Sequence, residues 1–85
     1  MGNARPRPAR LAEKLLAIRH KLGMSQGELG RVLKLEYHRI SEFESGGRDP
    51  SLILLLRYAR AAKVSVESVI DDEMELSSSR YRRGP

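Results

Sequence analysis

The chain has no cysteine, no tryptophan and no long apolar run among its 85 residues. Without cysteine it can form neither a disulfide framework nor a thiolate metal site, so disulfide-stapled scaffolds and zinc fingers are excluded. The longest apolar run, residues 52–56, is too short to cross a bilayer, and the amino terminus lacks the apolar core of a secretory signal. We therefore expect a soluble, cytoplasmic protein with no membrane association.

Patterns that carry catalysis are also missing. The two histidines, His20 and His38, fall in different predicted helices, and no serine stands in a nucleophile-elbow context. The acidic run at residues 71–75 lacks the alternating ligands and the glycine of a calcium loop, and no GxxxxGK phosphate-binding pattern occurs. We expect no enzyme activity, no cofactor and no metal.

The composition changes twice along the chain. Residues 1–9 hold two prolines among arginines and predict a flexible basic arm, with a frayed terminus as the alternative. Residues 10–70 show helical patterns, whereas residues 71–85 are first acidic and then basic, which predicts a tail that is disordered when alone. The formal net charge of +5 favours polyanionic partners. A single domain of this length has a marginal core, so a dimer is physically attractive.

A leucine-rich stripe predicts helix 1. Its members recur at spacings of three and four and are Leu11, Leu15, Ile18 and Leu22. Lys14 lies largely off this stripe, and Gly23 can take the left-handed conformation that closes a helix.

Helix 2 begins with a capping box, in which Ser25 and Glu28 satisfy two backbone donors reciprocally. Its predicted inner face is Leu29, Val32 and Leu33. Gly30 allows another helix to approach closely.

Helix 3 is predicted to turn Ile40 and Phe43 inward at a spacing of three. Its outer face carries the polar residues Tyr37, His38, Arg39 and Glu42. This mixture of donors and acceptors is not required by a purely structural helix and is typical of a surface that reads base edges. An ordinary solvated face is the alternative.

Serines cap the last two predicted helices, Ser51 for helix 4 and Ser65 for helix 5. The expected core positions of helix 4 are Leu52, Leu55, Leu56, Ala59 and Ala62. Further apolar residues widen its apolar arc, and helix 5 adds a second apolar surface, so we expect a homodimer interface. That interface comprises Ile53, Leu54, Tyr58, Val66, Val69 and Ile70. The alternative is that these residues complete the monomer core.

Several linked features carry a family resemblance. They are the leucine stripe ending in Leu22-Gly23, Ser25-Gln26 with Glu28-Leu29, Ile40-Ser41 with Glu44 and Gly46, and Pro50-Ser51-Leu52 ahead of Val64-Ser65. Over residues 10–70 the chain resembles the phage-repressor and Cro-like helix-turn-helix family, often called XRE-type. The resemblance implies an all-α, compact five-helix domain of the lambda-repressor-like type, with the helix-turn-helix formed by helices 2 and 3. It also implies a homodimer that binds an inverted repeat in double-stranded DNA, in the cytoplasm of a prokaryote or phage-infected cell.

Matching the chain to the family by position suggests roles for single residues. The expected base-contacting residues are Tyr37, His38, Arg39 and Glu42. The expected contacts to the DNA backbone are Gln26, Ser45 and Arg48, with Arg5, Arg7 and Arg10 added by the basic arm. In the family, the position of Gln26 either contacts phosphate or braces the recognition helix. Arg19 and Glu44 match a partly buried ion pair between helix 1 and the end of helix 3.

Two positions depart from the family pattern. Lys34 stands where glycine is common, and a left-handed conformation there would cost about 1 kcal/mol or more. Glu36 stands where serine or threonine usually caps the recognition helix, and with Glu42 it makes the groove-facing surface less cationic. A glutamate can accept a hydrogen bond from cytosine N4, and it can equally repel other sequences.

These observations leave three functions open. The first is a sequence-specific transcriptional regulator, a repressor that acts by steric occlusion as a homodimer. The second is the antitoxin of a toxin-antitoxin pair, which binds its own operator while residues 71–85 wrap a protein partner. The third is a domain of this fold that binds DNA without specificity.

Overall fold

A computed structural model describes residues 9–78, and these residues form five α-helices. The helices are α1 (Leu11–Leu22), α2 (Gln26–Leu33), α3 (Tyr37–Ser45), α4 (Leu52–Ala62) and α5 (Val66–Ile70). Within the described range the β-structure is limited to one isolated antiparallel bridge between Val64 and Ser78. The predicted all-α, five-helix architecture is confirmed. None of the helices in residues 9–78 combines the length and the apolar character needed to cross a membrane.

Local chemistry explains where most of these helices begin and end. The Ser25 hydroxyl accepts from Glu28 N, and the Glu28 carboxylate accepts from Ser25 N, so the predicted capping box is present. Hydrogen bonds from the backbone and side chain of Ser25 to the carboxylate hold the pKa of Glu28 below its ordinary value. Ser51 and Ser65 cap α4 and α5 in the same way. At the other end of α1, Gly23 adopts a left-handed φ of 68°, which residues with a β-carbon rarely take.

The core lies where α1 packs against α3, α4 and α5, and α2 packs against α3 and α4. Its buried apolar residues are Leu11, Leu15, Ile18, Leu29, Leu33, Ile40, Phe43, Leu55, Tyr58, Ala59, Ala62, Val64 and Val69. The rings of Phe43 and Tyr58 meet edge to face with centroids 6.5 Å apart. Each large side chain buried here stabilises the fold by about 1.5–3 kcal/mol relative to its exposed state, so these contacts set the position of α3 on the domain.

Three expectations about the apolar residues were wrong. Leu52 is 72% exposed because the inner stripe of α4 begins one turn later, at Leu55. Val32 is also exposed, since it lies about 100° around α2 from buried Leu33. Tyr58 and Val69, which were expected at a dimer interface, are fully buried in the monomer core, as the alternative interpretation held.

Lys14 was expected off the buried stripe of α1, and this was also wrong, because only 2% of its surface is exposed. Its ammonium donates to the carbonyl oxygens of Ser68 at 2.7 Å and Asp71 at 2.6 Å. A cation near the end of a short helix satisfies carbonyls that lack a partner within the helix. Lys14 therefore fastens α1 to the end of α5.

Residues 71–75 fold back onto the start of α1, whereas residues 77 and 78 pair with residues 64 and 65. The Asp72 carboxylate accepts from Ala9 N at 2.8 Å and from Arg10 N at 2.9 Å, and the Arg10 side chain pairs with Glu13 and Glu75. This part of the chain thus differs from the expected tail that is disordered when alone. Arg10 is likewise engaged within the protein and does not belong to a free arm. Arg5, Arg7 and residues 79–85 lie outside the described residues.

Candidate nucleic-acid interface

The turn between α2 and α3 keeps the left-handed geometry despite its lysine. Lys34 has φ 62° and ψ 48°, and Leu35 N donates to the Gly30 carbonyl at 2.7 Å. A β-carbon on Gly30 would lie 2.6 Å from the Leu35 carbonyl oxygen. The element that approaches Gly30 closely is therefore the backbone of this turn, where we expected another helix. The tight turn fixes the direction in which α3 leaves α2.

An ion pair between α1 and α3 sets the orientation of α3. Arg19 Nε lies 2.7 Å from Glu44 Oε2, and Arg19 Nη2 donates to Glu44 Oε1 at 3.0 Å. The side chains are 15% and 7% exposed, and the hydrogen bonds to Glu44 raise the pKa of Arg19. Gln26 Nε2 also donates to Glu44 Oε1, at 3.1 Å. The predicted pair is present, and the Gln26 side chain braces α3 through Glu44.

The outer face of α3 is open to solvent. Ile40 and Phe43 are buried beneath the helix, whereas Tyr37, His38 and Arg39 are exposed and Glu42 is partly exposed. The rings of Tyr37 and His38 stand edge to face with centroids 6.4 Å apart. The structure therefore brings the four predicted base-contacting residues together on one accessible surface.

Both carboxylates at this surface have a basic neighbour. Glu36 precedes α3 but its side chain makes no capping hydrogen bond, and its Oε1 lies 3.3 Å from His38 Nδ1. Glu42 Oε1 lies 3.2 Å from Arg48 Nε, an ion-pair contact that is not aligned as a hydrogen bond. The pairing of Glu42 with Arg48 could not be predicted from the sequence, because helical spacing says nothing about the course of the loop that carries the arginine.

The loop after α3 begins at Gly46, next to Ser45 at the end of the helix, and brings Arg48 near the outer face of α3. Gly46 takes a left-handed φ of 83°, and Gly47 N donates to the Glu42 carbonyl at 3.0 Å. Ser45 is exposed, and its hydroxyl donates to the same carbonyl at 3.1 Å. The loop thus turns back over the end of α3 and stays accessible to a ligand that lies along that helix.

The remaining members of the predicted dimer surface differ in exposure. Ile53 and Ile70 are exposed, while Leu54 and Val66 are partly buried. Exposed Leu52 lies next to Ile53 at the start of α4 and was missed, since it was expected in the core. Farther along α4, an open groove of about 1010 Å³ runs between α4, α5 and residues 74–78. Its apolar lining includes Leu56 and Met74.

Sequence reasoning missed Lys14 although a signal was present. Position 14 follows Leu11 by three residues and precedes Ile18 by four, which places it on the same helix face as the leucine stripe. We expected the charge to keep it off that face. Within residues 9–78 the structure brings together no group of three or more metal-ligating side chains.

Comparisons with known proteins agree with this architecture. The pattern of the helix-turn-helix family HTH_3 matches residues 15–69, which is more than half of the chain. The crystal structure of the P22 c2 repressor protein, in complex with synthetic operator 9T in the presence of Tl+, is similar with a TM-score of 0.68. The sequences are 26% identical, and the similarity covers 73% of this chain and 94% of that chain. No curated protein matches the sequence.

The fold and the accessible α3 surface define a DNA-binding regulator of the phage-repressor type and not an enzyme. Because the HTH_3 pattern covers more than half of the chain, the chain belongs to the helix-turn-helix family. The matched residues include all of α2, α3 and α4 and most of α1 and α5.

Proposed function

We propose that this protein is a sequence-specific transcriptional repressor that binds an inverted repeat in double-stranded DNA as a homodimer. The observation that carries the proposal is the exposed polar face of α3, held at a fixed angle by the Arg19–Glu44 pair. A reading helix must be both accessible and rigidly placed, since base contacts tolerate little misalignment. We propose that it acts by steric occlusion of a promoter in the cytoplasm.

In this proposal the four residues of the α3 face read base edges in the major groove. Arg39 and His38 offer donors, Glu42 offers an acceptor, and Tyr37 offers a hydroxyl together with an apolar ring. Ser45, the last residue of α3, is proposed to contact phosphate. Backbone contacts fix register on the duplex, whereas base contacts choose the sequence.

Selection of bound sequences from a random duplex pool tests the proposal directly. The parent protein is expected to yield a consensus with two-fold symmetry. A triple variant, Tyr37→Ala with His38→Ala and Glu42→Ala, is expected to lose about 1–3 kcal/mol of discrimination at each base pair that it no longer contacts. The matched control is Glu73→Ala, an exposed carboxylate in the segment that packs on α1. Unchanged selectivity in a folded triple variant would show that another surface reads DNA.

Homodimerisation is proposed through the apolar residues that remain exposed or half-buried on α4 and α5. They are Leu52, Ile53, Leu54, Val66 and Ile70. Two subunits on an inverted repeat place their reading helices about 34 Å apart, so this surface also sets the spacing of the half-sites. Sedimentation at tens of micromolar should show a dimer for the parent and a monomer for Ile53→Asp. A parent that sediments purely as a monomer without DNA would contradict this interface.

A role for the arm is proposed separately, since Arg5 and Arg7 lie outside the described residues. Their guanidiniums are expected to follow phosphates or enter a minor groove beside the site. Deletion of residues 1–8 should weaken binding and reduce the magnitude of the log–log salt slope by about 0.9 per lost phosphate contact, with thermal stability retained. The deletion stops before Ala9 because its N–H donates to Asp72. Equal affinity and slope in the truncated protein would mean that the arm is a frayed terminus.

The antitoxin alternative makes a different prediction. It requires residues 71–85 to be available to a protein partner, yet residues 71–78 are engaged with α1 and with the start of α5. This engagement favours the repressor. Copurification with a partner that protects residues 71–85 from proteolysis would favour the antitoxin instead.

A further inference from the structure

We propose that Arg48 is a positioning residue for Glu42, and that the two act as one unit that selects a cytosine in the major groove. This inference rests on the proposed function, and it changes the role expected for Arg48, which was a contact to the DNA backbone. Its starting point is a contact between a helix residue and a loop residue. Glu42 Oε1 lies 3.2 Å from Arg48 Nε, although Arg48 lies beyond the end of α3.

The contact is built into the loop. The carbonyl of Glu42 accepts from Gly47 N at 3.0 Å and from the Ser45 hydroxyl at 3.1 Å, and both bonds fold residues 45–47 back over the last turn of α3. Residue 48 therefore leaves the loop close to the side chain whose backbone the loop already holds. This course of the backbone keeps Arg48 close to Glu42. It therefore favours the pairing over the other orientations that a long exposed arginine can take.

The two oxygens of Glu42 are placed differently. Oε1 is shielded from solvent beside Arg48, yet the side chain as a whole keeps 44% of its area exposed. Because Oε1 is shielded, the proposal assigns the ligand contact to Oε2. A carboxylate oxygen in the major groove accepts from the N4 amino group of cytosine.

Charge explains why such a carboxylate needs its arginine. An unpaired glutamate on a DNA-reading face is repelled by phosphates on both strands, and its extended side chain has several rotamers. Arg48 cancels the charge of Glu42 locally and restricts its orientation. The remaining surface keeps Arg39 as a cation, so the unit costs little nonspecific affinity while it adds a base preference.

A phosphate contact is the competing role for Arg48, and the two roles differ when Glu42 is altered. If Arg48 acts through Glu42, then Arg48→Ala should have no further effect once Glu42→Gln has removed the carboxylate charge. If Arg48 holds a phosphate, then Arg48→Ala should weaken binding in both backgrounds. Both side chains are about half-exposed, so these variants are expected to fold, which circular dichroism and melting would check.

The experiment uses the full chain and the consensus duplex selected by the parent. Affinity and salt slope are measured for the parent, Glu42→Gln, Arg48→Ala and the double variant, on the consensus and on duplexes changed at one base pair at a time. The expected result is that both single variants lose about tenfold of the preference for cytosine at the same base pair, and that the double variant matches Glu42→Gln in affinity and slope.

Two results would overturn the inference. One is that Arg48→Ala weakens all duplexes equally in both backgrounds and lowers the magnitude of the salt slope by about 0.9, which identifies a phosphate contact. The other is that neither single variant alters any base preference, which identifies a solvated pair. If the parent selects no consensus at all, the proposed function fails as well. A clear consensus combined with either of the two results overturns only the pairing.

Discussion

Two charged clusters tie α1 to the rest of the domain, and they differ in burial and in their number of hydrogen bonds. The buried cluster consists of Arg19, Glu44 and Gln26 and joins α1 to α2 and α3. The terminal clamp joins the start of α1 to the segment that follows α5. It consists of Arg10, Glu13, Asp72 and Glu75. The clamp makes more hydrogen bonds, but its Glu13 and Glu75 side chains are 61% and 82% exposed.

The difference teaches that the number of contacts does not measure their contribution to stability. Ion pairs in water gain little, because solvent screens them and flexible side chains must be ordered. A partly buried pair is also costly to form, yet removal of one partner leaves a charge without compensation. We therefore expect the buried cluster to control the position of α3, and the clamp to contribute less to stability.

The largest expected effect comes from Glu44→Ala. It leaves Arg19, which is 15% exposed, without its carboxylate, and removal of one partner from a buried pair costs about 3–5 kcal/mol. Partial exposure should place the loss of unfolding free energy toward or below the lower end of that range. Urea denaturation gives the measurement, with Glu13→Ala in the clamp as the matched control. Equal midpoints for the two variants would erase the proposed difference between the clusters.

Lys14→Met should have the next largest effect. The ammonium of Lys14 is the buried donor to the Ser68 carbonyl, and loss of such a donor costs about 1–3 kcal/mol. The exposed Lys21→Met, at the end of the same helix, provides a control for the change of charge. A Lys14→Met protein that is as stable as the parent would mean that apolar packing offsets the lost hydrogen bonds.

Tyr58→Phe is expected to act in the opposite direction. Burial and the nearby negative charge of Glu44 raise the pKa of Tyr58, although Arg19 opposes the shift, and its hydroxyl has no hydrogen-bond partner in residues 9–78. Removal of an unpaired buried hydroxyl should stabilise the fold by about 1 kcal/mol, at the low end of its burial cost. Thermal melting measures the gain. A clear loss of stability would show that the hydroxyl interacts with the buried cluster.

The smallest effect is expected at the clamp, and it should be present at neutral pH and disappear in acid. The backbone N–H groups of Arg10 and Ala9 hold the pKa of Asp72 below its ordinary value of 3.8, and the Arg10 side chain lowers the pKa of Glu75. A carboxyl whose pKa is lower in the folded state stabilises the protein above its unfolded pKa, and this contribution is lost as the pH falls through the folded value. The clamp is therefore complete near neutral pH and weakens below about pH 4.5.

Asp72→Asn should reduce that acid dependence, because it should be slightly less stable than the parent at pH 7 and match the parent in acid. Unfolding free energies measured from pH 7 to pH 2.5 for the parent, Asp72→Asn and the control Glu73→Gln provide the comparison. The parent and the control should lose stability more steeply than Asp72→Asn. Superimposable curves for all three proteins would exclude Asp72 as the source of the acid sensitivity.

Much of the fold could be predicted because its signals are local. The Ser25 capping box, the serine caps of α4 and α5 and the glycine that closes α1 all depend on contacts within about four residues. The polar face of α3 follows from the spacing of Ile40 and Phe43. The family resemblance supplied the Arg19–Glu44 pair, which no local rule predicts across 25 residues.

The errors concern residues whose environment is set by distant parts of the chain. Tyr58 was assigned to an interface because an amphipathic pattern cannot tell which apolar residues of a wide arc are covered by other helices. The Asp72 carboxylate accepts from Arg10 N, just before α1 and 62 residues away along the chain. No spacing in the sequence predicts such a contact. Arg48 meets Glu42 only because the loop after α3 turns back over that helix.

The sequence by itself determined the five helices, their ends and the polar character of the outer face of α3, because helix formation and capping are governed by neighbours along the chain. Tertiary structure alone decided that Lys14 is buried, that the segment after α5 tethers the start of α1, and that Glu42 shares its charge with Arg48. Each of these outcomes depends on which groups meet in space, and that depends on helix packing and on the desolvation of charges that packing imposes.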